Sequence, residues 1–532
     1  MLKIALAQLN YCVGDVKGNT QKMLIATQQA KQQKAAMIVF SELAITAYPP
    51  EDLLFNENLR DEVKEALLLL QAASRDCAIV VGHPLWEGGR CYNAASVFYQ
   101  EKLLACYKKQ CLPNYGVFDE LRYFEAGDAV CVVEIEGLKT GLVICEDIWR
   151  EEAVKRTVEA GAQWVIAINA SPYEQGKCAK REALLTKLAK KNAVSIAYVN
   201  QVGGQDELVF DGASFAVNRS GKLLFQAPVA EEVLSYVNVS PDGEMSAVEP
   251  VFLKESEVAQ RYQLLSLALH DYVIKNGFKR VFLGVSGGID SALVLALAVD
   301  ALGADKVTAV VMPSRYTAAI SFEDAYALVK ALKVRMEELS IEPAVESINA
   351  SLAPLFIGRA EDVTEKNIQA RVRGLFLMAL ANKFNGLVLT TSNKSELAVG
   401  YSTLYGDMAG AFDVIKDIYK TEVVALAQYR NSIKPVIPER IINRPPSAEL
   451  AFDQVDQDDL PPYALLDAVL FEMIEGHQSV REVLALGYDG VLVQRIAKLL
   501  KMSEYKRRQS PLGPKMSSCA FGKDWRYPVT RK

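Results

Sequence analysis

The chain has 532 residues, half of them hydrophobic and 23% charged, with a net charge of −6. That length exceeds one ordinary core and predicts two or three domains, and the negative balance without a long basic run excludes nucleic acid as the default partner. No apolar stretch approaches the roughly 20 residues that a bilayer span needs, and nine cysteines scattered without a CxxC pair exclude a disulfide framework and a zinc site.

The opening segment MLKIALAQL reads as a first strand and not as a secretory signal, since it has no extended apolar region and no small-residue cleavage site. The cysteine pattern fits a reducing cytoplasm. Short apolar runs at 4–9, 36–40, 78–82, 141–145, 164–169 and 195–200 are rich in β-branched residues and are expected to be strands. Amphipathic stretches at 21–34, 57–75, 151–160 and 178–192 alternate with them as helices. Strands are expected to give out near 211–235, after DGASFAVNRSGKLLF with its Arg219-Ser220-Gly221 turn signal, and 236–256 reads as a linker. The resulting division is a first domain at 1–245, a linker at 246–257 and a second domain at 258–532.

The rhythm then restarts as helix 258–276, strand 281–285, helix 290–302, strand 307–312, helix 321–333, helix 367–384 and strand 387–391. Strand-helix alternation of this kind predicts a parallel, doubly wound α/β sheet. The Pro-, Asp- and Gln-rich stretch 443–463 reads as a long polar loop, of a length that is usually functional or disordered.

In VFLGVSGGIDSALVLALAV (281–299) an apolar strand runs through a Gly/Ser turn into a helix. Gly284, Val285, Ser286, Gly287, Gly288, Ile289, Asp290 and Ser291 offer close backbone approach, amide and hydroxyl donors and a helix N-terminus, which together suit phosphate. No Lys-Ser/Thr follows the glycines, so the loop is not of the Walker type. Asp290 reads either as a helix cap or as a Mg²⁺ ligand. Glu396, in TTSNKSE after the strand 387–391, reads as a helix-dipole partner, a second metal carboxylate or a substrate contact, and Thr391 as a possible ATP contact. The arginines of NIQARVRG (367–374), from an expected polar first turn, form surface salt links or recognise a carboxylate or phosphate.

The string SGGIDS resembles the pyrophosphate loop of the ATP pyrophosphatases, which split ATP into AMP and pyrophosphate. SGGIDS, NIQARVRG, TTSNKSE, YGDMAG, PPSAELAFDQVDQDDLPPY and YKRRQS occur in the order found in NAD synthetases. The resemblance implies that 284–291 and Thr391 bind ATP, that Asn367, Glu396 and Lys506 contact deamido-NAD, and that Asp290 and Glu396 hold Mg²⁺. Lys506 stands in a basic cluster with Arg507 and Arg508 that would otherwise read as a solvated turn.

Such a domain consumes ammonia, and the first half contains a candidate source. Cys145 ends the strand TGLVIC at a turn where a nucleophile can be exposed. A thiol nucleophile needs a base. His83 is the nearest histidine, and its GHP context reads equally as a structural strand end. The other source of help is a carboxylate beside a lysine. Glu42 in SELAITAYPPEDL, Lys109 in YKKQCLPNYGVFDELRYF and Cys145 resemble the Glu-Lys-Cys triad of the nitrilase family. That resemblance implies an αββα sandwich, with Glu42 as base, Lys109 stabilising the oxyanion and Cys145 forming a glutamyl thioester. It further implies that Glu120 holds the lysine, and that Tyr115, Glu146, Ser171 and Lys177 select L-glutamine with Tyr48 and Phe118 lining the pocket.

Both resemblances together cover nearly the whole chain, in the order glutaminase then synthetase. They imply a cytoplasmic enzyme that amidates deamido-NAD with ATP, Mg²⁺ and glutamine-derived ammonia, passed through a protein tunnel in a homo-oligomer, without nucleic-acid or membrane partners. Alternatives are another amidating enzyme of the pyrophosphatase-loop class, a silent binding protein that kept the fold, or an amidase whose second domain only regulates it.

Overall fold

The computed structural model describes residues 1–248, 255–445 and 456–531. They fall into two compact units, Met1–Glu255 and Ser256–Lys532.

The first unit holds two sheets. In spatial order the seven-stranded sheet runs Met245–Ala247, Val233–Val239, Leu2–Gln8, Met37–Val39, Ala78–Glu87, Arg90–Tyr99 and Lys102–Lys108. The six-stranded sheet runs Leu223–Gln226, Phe215–Val217, Ser195–Asn200, Trp164–Asn169, Leu138–Ile144 and Cys131–Ile135. Successive strand residues point to opposite faces, and the first strand shows what each face meets. Ile4 and Leu6 pack with Ile144, Ile166 and Ile168 of the other sheet. Ala5 and Ala7 pack instead with Met23 and Ala26 of the helix Val16–Gln32 and with Val63, Ala66 and Leu70 of the helix Glu57–Ala73. On the far side Val143, Val165 and Ala167 meet Leu185, Leu188 and Ala189 of the helix Lys177–Asn192. The layers are therefore helix, sheet, sheet, helix. Both faces of the inner strands are covered, so these strands are apolar throughout and do not alternate. Each fully buried Ile or Leu contributes about 2 kcal/mol.

The strands do not give out near 211–235. Val233–Val239 lies antiparallel beside Leu2–Gln8, with Leu2 opposite Val239, and Met245–Ala247 extends the same sheet inside the stretch read as linker. The alternating polar residues of VLSYVNV hide this strand from a search for apolar runs: its burial alternates because one face is solvated. Of the expected linker, 249–254 lie outside the described residues.

In the second unit five parallel strands stand in the order Arg335–Glu338, Val307–Val311, Val281–Gly284, Leu387–Thr390 and Phe412–Asp413. Numbered within the unit this order is 3-2-1-4-5, so the chain reverses direction between Val281–Gly284 and Leu387–Thr390. Doubly wound sheets bind ligands at that switch point, beyond the carboxyl ends of the strands. Below it the helix Ile289–Leu302 is buried almost throughout, which is why its sequence reads apolar on every side. A second core of this unit joins Leu397, Ala398 and Val399 to the helices Tyr463–Ile474 and Gly490–Met502 and to Phe521 and Trp525.

Candidate active sites

In the first unit, the turn after Met37–Val39 carries Glu42. Gly82 lets that turn press against the strand Ala78–Glu87: a Cβ there would lie 2.4 Å from the nitrogen of Leu43 and 2.7 Å from the Cα of Glu42. Lys109 follows the strand Lys102–Lys108, its amide bonded to the Asn93 carbonyl at 2.8 Å. Cys145 opens the short helix Cys145–Trp149 at the end of Leu138–Ile144. It holds a left-handed φ of 44°, a conformation that for a non-glycine residue persists only where surrounding contacts over-determine it. The expected exposure of the thiol is corrected, since Cys145 is only 6% exposed.

These elements converge on the Lys109 ammonium. Its Nζ donates to Glu42 Oε1 at 2.6 Å and to Glu120 Oε1 at 2.7 Å, and all three side chains are buried. Glu42 also accepts from Asn93 Nδ2 at 2.7 Å and from the Ala170 amide at 2.8 Å, while Tyr48 donates to Glu120 at 3.0 Å. Burial alone would lower the ammonium's proton affinity, but Glu120 and Glu42 outweigh it and hold Lys109 charged, well above the ordinary range. Burial pushes Glu120 up to about 7 against the pull of Lys109. Burial and then Glu42 push the Cys145 thiol well above its ordinary value, with Lys109 opposing. The resting group is therefore a thiol, and its proton has to leave as sulfur attacks.

Around this centre Tyr115 donates to Glu146 at 3.0 Å, and its ring lies 5.5 Å from that of Phe118. Tyr48 packs edge-on to Phe118 at 6.4 Å, and Lys177 Nζ sits 5.7 Å from the Phe118 ring centroid. Ser171 is buried and its amide donates to Asn200 at 2.9 Å. The structure thus brings Tyr48, Tyr115, Phe118, Glu146 and Lys177 together about one aromatic wall, while the partners of Ser171 are Asn200 and Arg181. His83 lies elsewhere, within the strand Ala78–Glu87, bonded to the Pro84 carbonyl and Ser96.

Two residues of this site escaped the sequence reading. Asn93 is a polar position inside the apolar strand Arg90–Tyr99, and that contrast was its only signal. Asp147 accepts from the amides of Gln110, Cys111 and Ile144 and from the Tyr107 hydroxyl, tying the Cys145 turn to the segment after Lys109.

In the second unit the loop Gly284–Ser291 stands at the switch point and lines a cavity of about 300 Å³ together with Thr391 and Glu396. Gly287 has φ 82°. Ser286 Oγ accepts from the Gly288 amide at 3.2 Å, and Ser291 Oγ donates to the Gly288 carbonyl at 3.0 Å, which sets the cradle's shape. Arg373 and Arg444 add cationic groups to the wall.

Asp290 and Glu396 both direct an oxygen at Lys420 Nζ, Glu396 at 3.3 Å. Asn393 holds Asp290 through Nδ2 at 3.0 Å and caps the Glu396 amide at 3.0 Å. Burial pushes Glu396 up to about 8 despite Lys420. A pair of carboxylates beside the loop is the kind of donor set Mg²⁺ takes, its shell completed by phosphate oxygens and water, and in this structure the cation both face is the Lys420 ammonium. Among the described residues no group of three or more His, Cys, Asp or Glu side chains is arranged to hold a metal ion. Lys420, at the start of the helix Lys420–Ile433, was not foreseen: a lysine in a first helical turn opposes the dipole, and that was its signal.

Asn367 and Lys506 are not among the wall residues. Asn367 accepts from Thr403 Oγ1 at 2.9 Å, and Lys506 Nζ donates to the carbonyls of Gly400 and Ser402 at 2.7 Å. Both therefore hold the segment 400–403, whose Tyr401 does line the cavity. The polar first turn expected from residue 367 is corrected as well: the helix Val363–Phe384 begins one turn earlier, with an Asp362/Glu365 capping box. Of the stretch 443–463, residues 446–455 lie outside the described residues.

No described helix is long and apolar enough to cross a membrane. Residues 3–245 match the carbon-nitrogen hydrolase family and 261–510 the NAD synthase family. The chain is 48% identical to a glutamine-dependent NAD(+) synthetase of Xanthomonas campestris pv. campestris, over 99% of this chain and 97% of that protein. It is 44% identical to one of Aquifex aeolicus over the whole of both chains. The structure of glutamine-dependent NAD+ synthetase from Acinetobacter baumannii in complex with ADP aligns with a TM-score of 0.82 at 45% identity, over 99% of this chain and 98% of that one. With two sites of this geometry and full-length likeness of this degree, the chain belongs to the family of glutamine-dependent NAD(+) synthetases.

Proposed function

We propose that the protein amidates deamido-NAD to NAD with ATP, taking ammonia from L-glutamine and releasing AMP and pyrophosphate. The observation that carries this reading is the pairing, in one chain, of a buried carboxylate–lysine–thiol centre with a phosphate cradle at a sheet switch point. The proposed domains are a glutaminase at 1–245, a linker at 246–257 and a synthetase at 258–532.

In the first, Glu42 takes the Cys145 proton as the sulfur attacks the carboxamide carbon. Lys109, charged and held between Glu42 and Glu120 before the reaction starts, faces the developing oxyanion and needs no reorganisation. Glu42 returns the proton to the departing nitrogen, ammonia leaves, and a glutamyl thioester remains. Water, deprotonated by Glu42, cleaves the thioester to glutamate and the free thiol. Ser171, Lys177, Tyr115, Glu146, Tyr48 and Phe118 hold the glutamine, Lys177 matching its carboxylate.

In the second, residues 284–291 and Thr391 bind ATP, and Asn367, Glu396 and Lys506 bind deamido-NAD, Asn367 and Lys506 by way of the 400–403 segment. Asp290 and Glu396 would hold Mg²⁺, whose charge offsets that of the triphosphate. A nicotinate oxygen attacks the α-phosphorus and pyrophosphate leaves. Ammonia then adds to the acyl carbon, loses a proton and displaces AMP. Adenylation is required because a bare carboxylate is a poor electrophile. A cytoplasmic location and a homo-oligomeric state are part of the same proposal.

The test is NAD formation by the purified protein from deamido-NAD, ATP and Mg²⁺, with glutamine and ammonium supplied separately. NAD and AMP from both donors are expected. NAD from ammonium alone would refute the role of Cys145, and NAD from neither would refute the substrate.

A further inference from the structure

Ser171 and Lys177 carry glutamine recognition in the reading above, and both are tied to one buried side chain that no step of that mechanism uses. Arg181 lies one helical turn after Lys177 in the helix Lys177–Asn192 and is 1% exposed. Positions four apart share a helix face, so Lys177 and Arg181 look the same way.

Arg181 Nη1 donates to both carboxylate oxygens of Asp211 at 2.8 Å. Its Nη2 donates to the Ser171 carbonyl at 2.8 Å, to Ser171 Oγ at 3.0 Å and to the Pro172 carbonyl at 3.0 Å. Asn200 completes the frame. Its Oδ1 accepts from the Ser171 amide at 2.9 Å, and its Nδ2 donates to the Ser171 carbonyl at 3.2 Å and to Asp211 at 3.3 Å. Every polar atom of Ser171 is therefore fixed from outside.

A buried ion pair is weak evidence for stability, since desolvation offsets its attraction. What singles this one out is where its remaining bonds go. A guanidinium has donors only, so Ser171 Oγ accepts from Arg181, and the serine hydroxyl also lies within hydrogen-bond reach of the buried Tyr198 hydroxyl. The arrangement fixes where the Ser171 hydroxyl stands at the edge of the proposed glutamine subsite. Through Arg181 it also fastens the helix that begins at Lys177 to the 171–172 segment.

We infer that Arg181, anchored by Asp211, is a positioning residue for the glutamine subsite, orienting the Ser171 hydroxyl and setting its separation from Lys177. The inference rests on the proposed glutaminase reading.

Arg181→Lys keeps the charge but loses the planar fork that reaches Asp211 and Ser171 together, and Asp211→Asn keeps the shape while removing the anchor's charge. Steady-state NAD formation by the full-length variants, with each nitrogen donor, reads the effect. The KM for glutamine is expected to rise roughly tenfold in both, with kcat at saturating glutamine within about twofold of the parent and the ammonium-driven rate unchanged. Equal losses with both donors would make the pair a scaffold element and overturn the inference, as would an unaltered KM or a fall in kcat alone. Ser171→Ala separates the two levels of the argument. If it leaves the KM for glutamine unchanged, the placement of the subsite fails. If it raises KM while Arg181→Lys and Asp211→Asn do not, only the role of Arg181 fails.

Discussion

Asn93 donates its side-chain amide to Glu42 Oε1 at 2.7 Å while its backbone carbonyl accepts the amide of Lys109 at 2.8 Å. One buried residue thus sets both the proposed base and the proposed oxyanion cation, and it holds Glu42 through a charge-assisted bond. Removing such a bond inside a protein costs about 1.5–3 kcal/mol. Asn93→Ala is therefore expected to lower kcat with glutamine by roughly 10- to 100-fold, at a nearly unchanged KM for glutamine and an unchanged ammonium-driven rate. A kcat equal to that of the parent would show that Ala170 and Lys109 suffice to orient Glu42.

The Cys145 turn and the phosphate cradle lie in separate compact units. Cys145→Ala is expected to abolish glutamine-driven NAD synthesis and to leave ammonium-driven synthesis within about twofold. Loss of both activities in a folded variant, checked by circular dichroism, would sink the division of labour between the two domains.

His83 occupies a different environment from the Glu42–Lys109–Glu120 cluster. Its Nδ1 faces the Pro84 carbonyl, which only accepts, so the ring proton sits on Nδ1 and Nε2 accepts from Ser96. Burial lowers it from 6.5 to about 4. Depression of a base means the unfolded chain takes up the proton first, so the contribution of neutral His83 is fully present above pH 6.5 and is lost as pH falls towards 4. The loss amounts to about 3 kcal/mol. The difference in urea unfolding free energy between the parent and His83→Gln is expected to shrink by that amount from pH 7 to pH 4, with glutamine-driven activity at pH 7 retained. A difference independent of pH would mean the ring titrates normally.

Much of this molecule was legible because its inner strands are covered on both faces. WVIAIN and SIAYVN coincide with Trp164–Asn169 and Ser195–Asn200 to the residue. Val233–Val239 was not legible, because a half-solvated strand with Asn, Ser and Tyr resembles a turn-rich segment until its pairing with Leu2–Gln8 is seen. The strand Phe412–Asp413 is two residues long and gives no period at all. In the candidate sites, the proposed residues are ones carried by short motifs, whereas Asn93, Asp147 and Lys420 were not read from the sequence. Each acts by long-range contact, Asn93 on a residue 51 positions away and Lys420 on one 130 positions away, and no local pattern encodes such a pair.

Gly287 supplies the sharpest test of the phosphate cradle. With φ 82° it holds a conformation that an L side chain resists by about 1–2 kcal/mol. A Cβ at this position would also lie 2.4 Å from the Ser321 carbonyl oxygen and 3.0 Å from its Cα, both backbone atoms of the helix Ala319–Leu332. A flexible side chain could swing aside, but a buried helical backbone cannot, so Gly287→Ala displaces the loop. The KM for ATP is expected to rise at least about 100-fold with either nitrogen donor, since phosphate binding is shared by both reactions. Cys145 lies in the other compact unit, and its covalent labelling by an electrophilic glutamine analogue is expected to proceed as in the parent. Retained synthesis at the parental KM for ATP would place the phosphates away from Gly287. Lost labelling together with lost synthesis would instead mean that the substitution unfolds the chain, which a melting curve of the same sample would show.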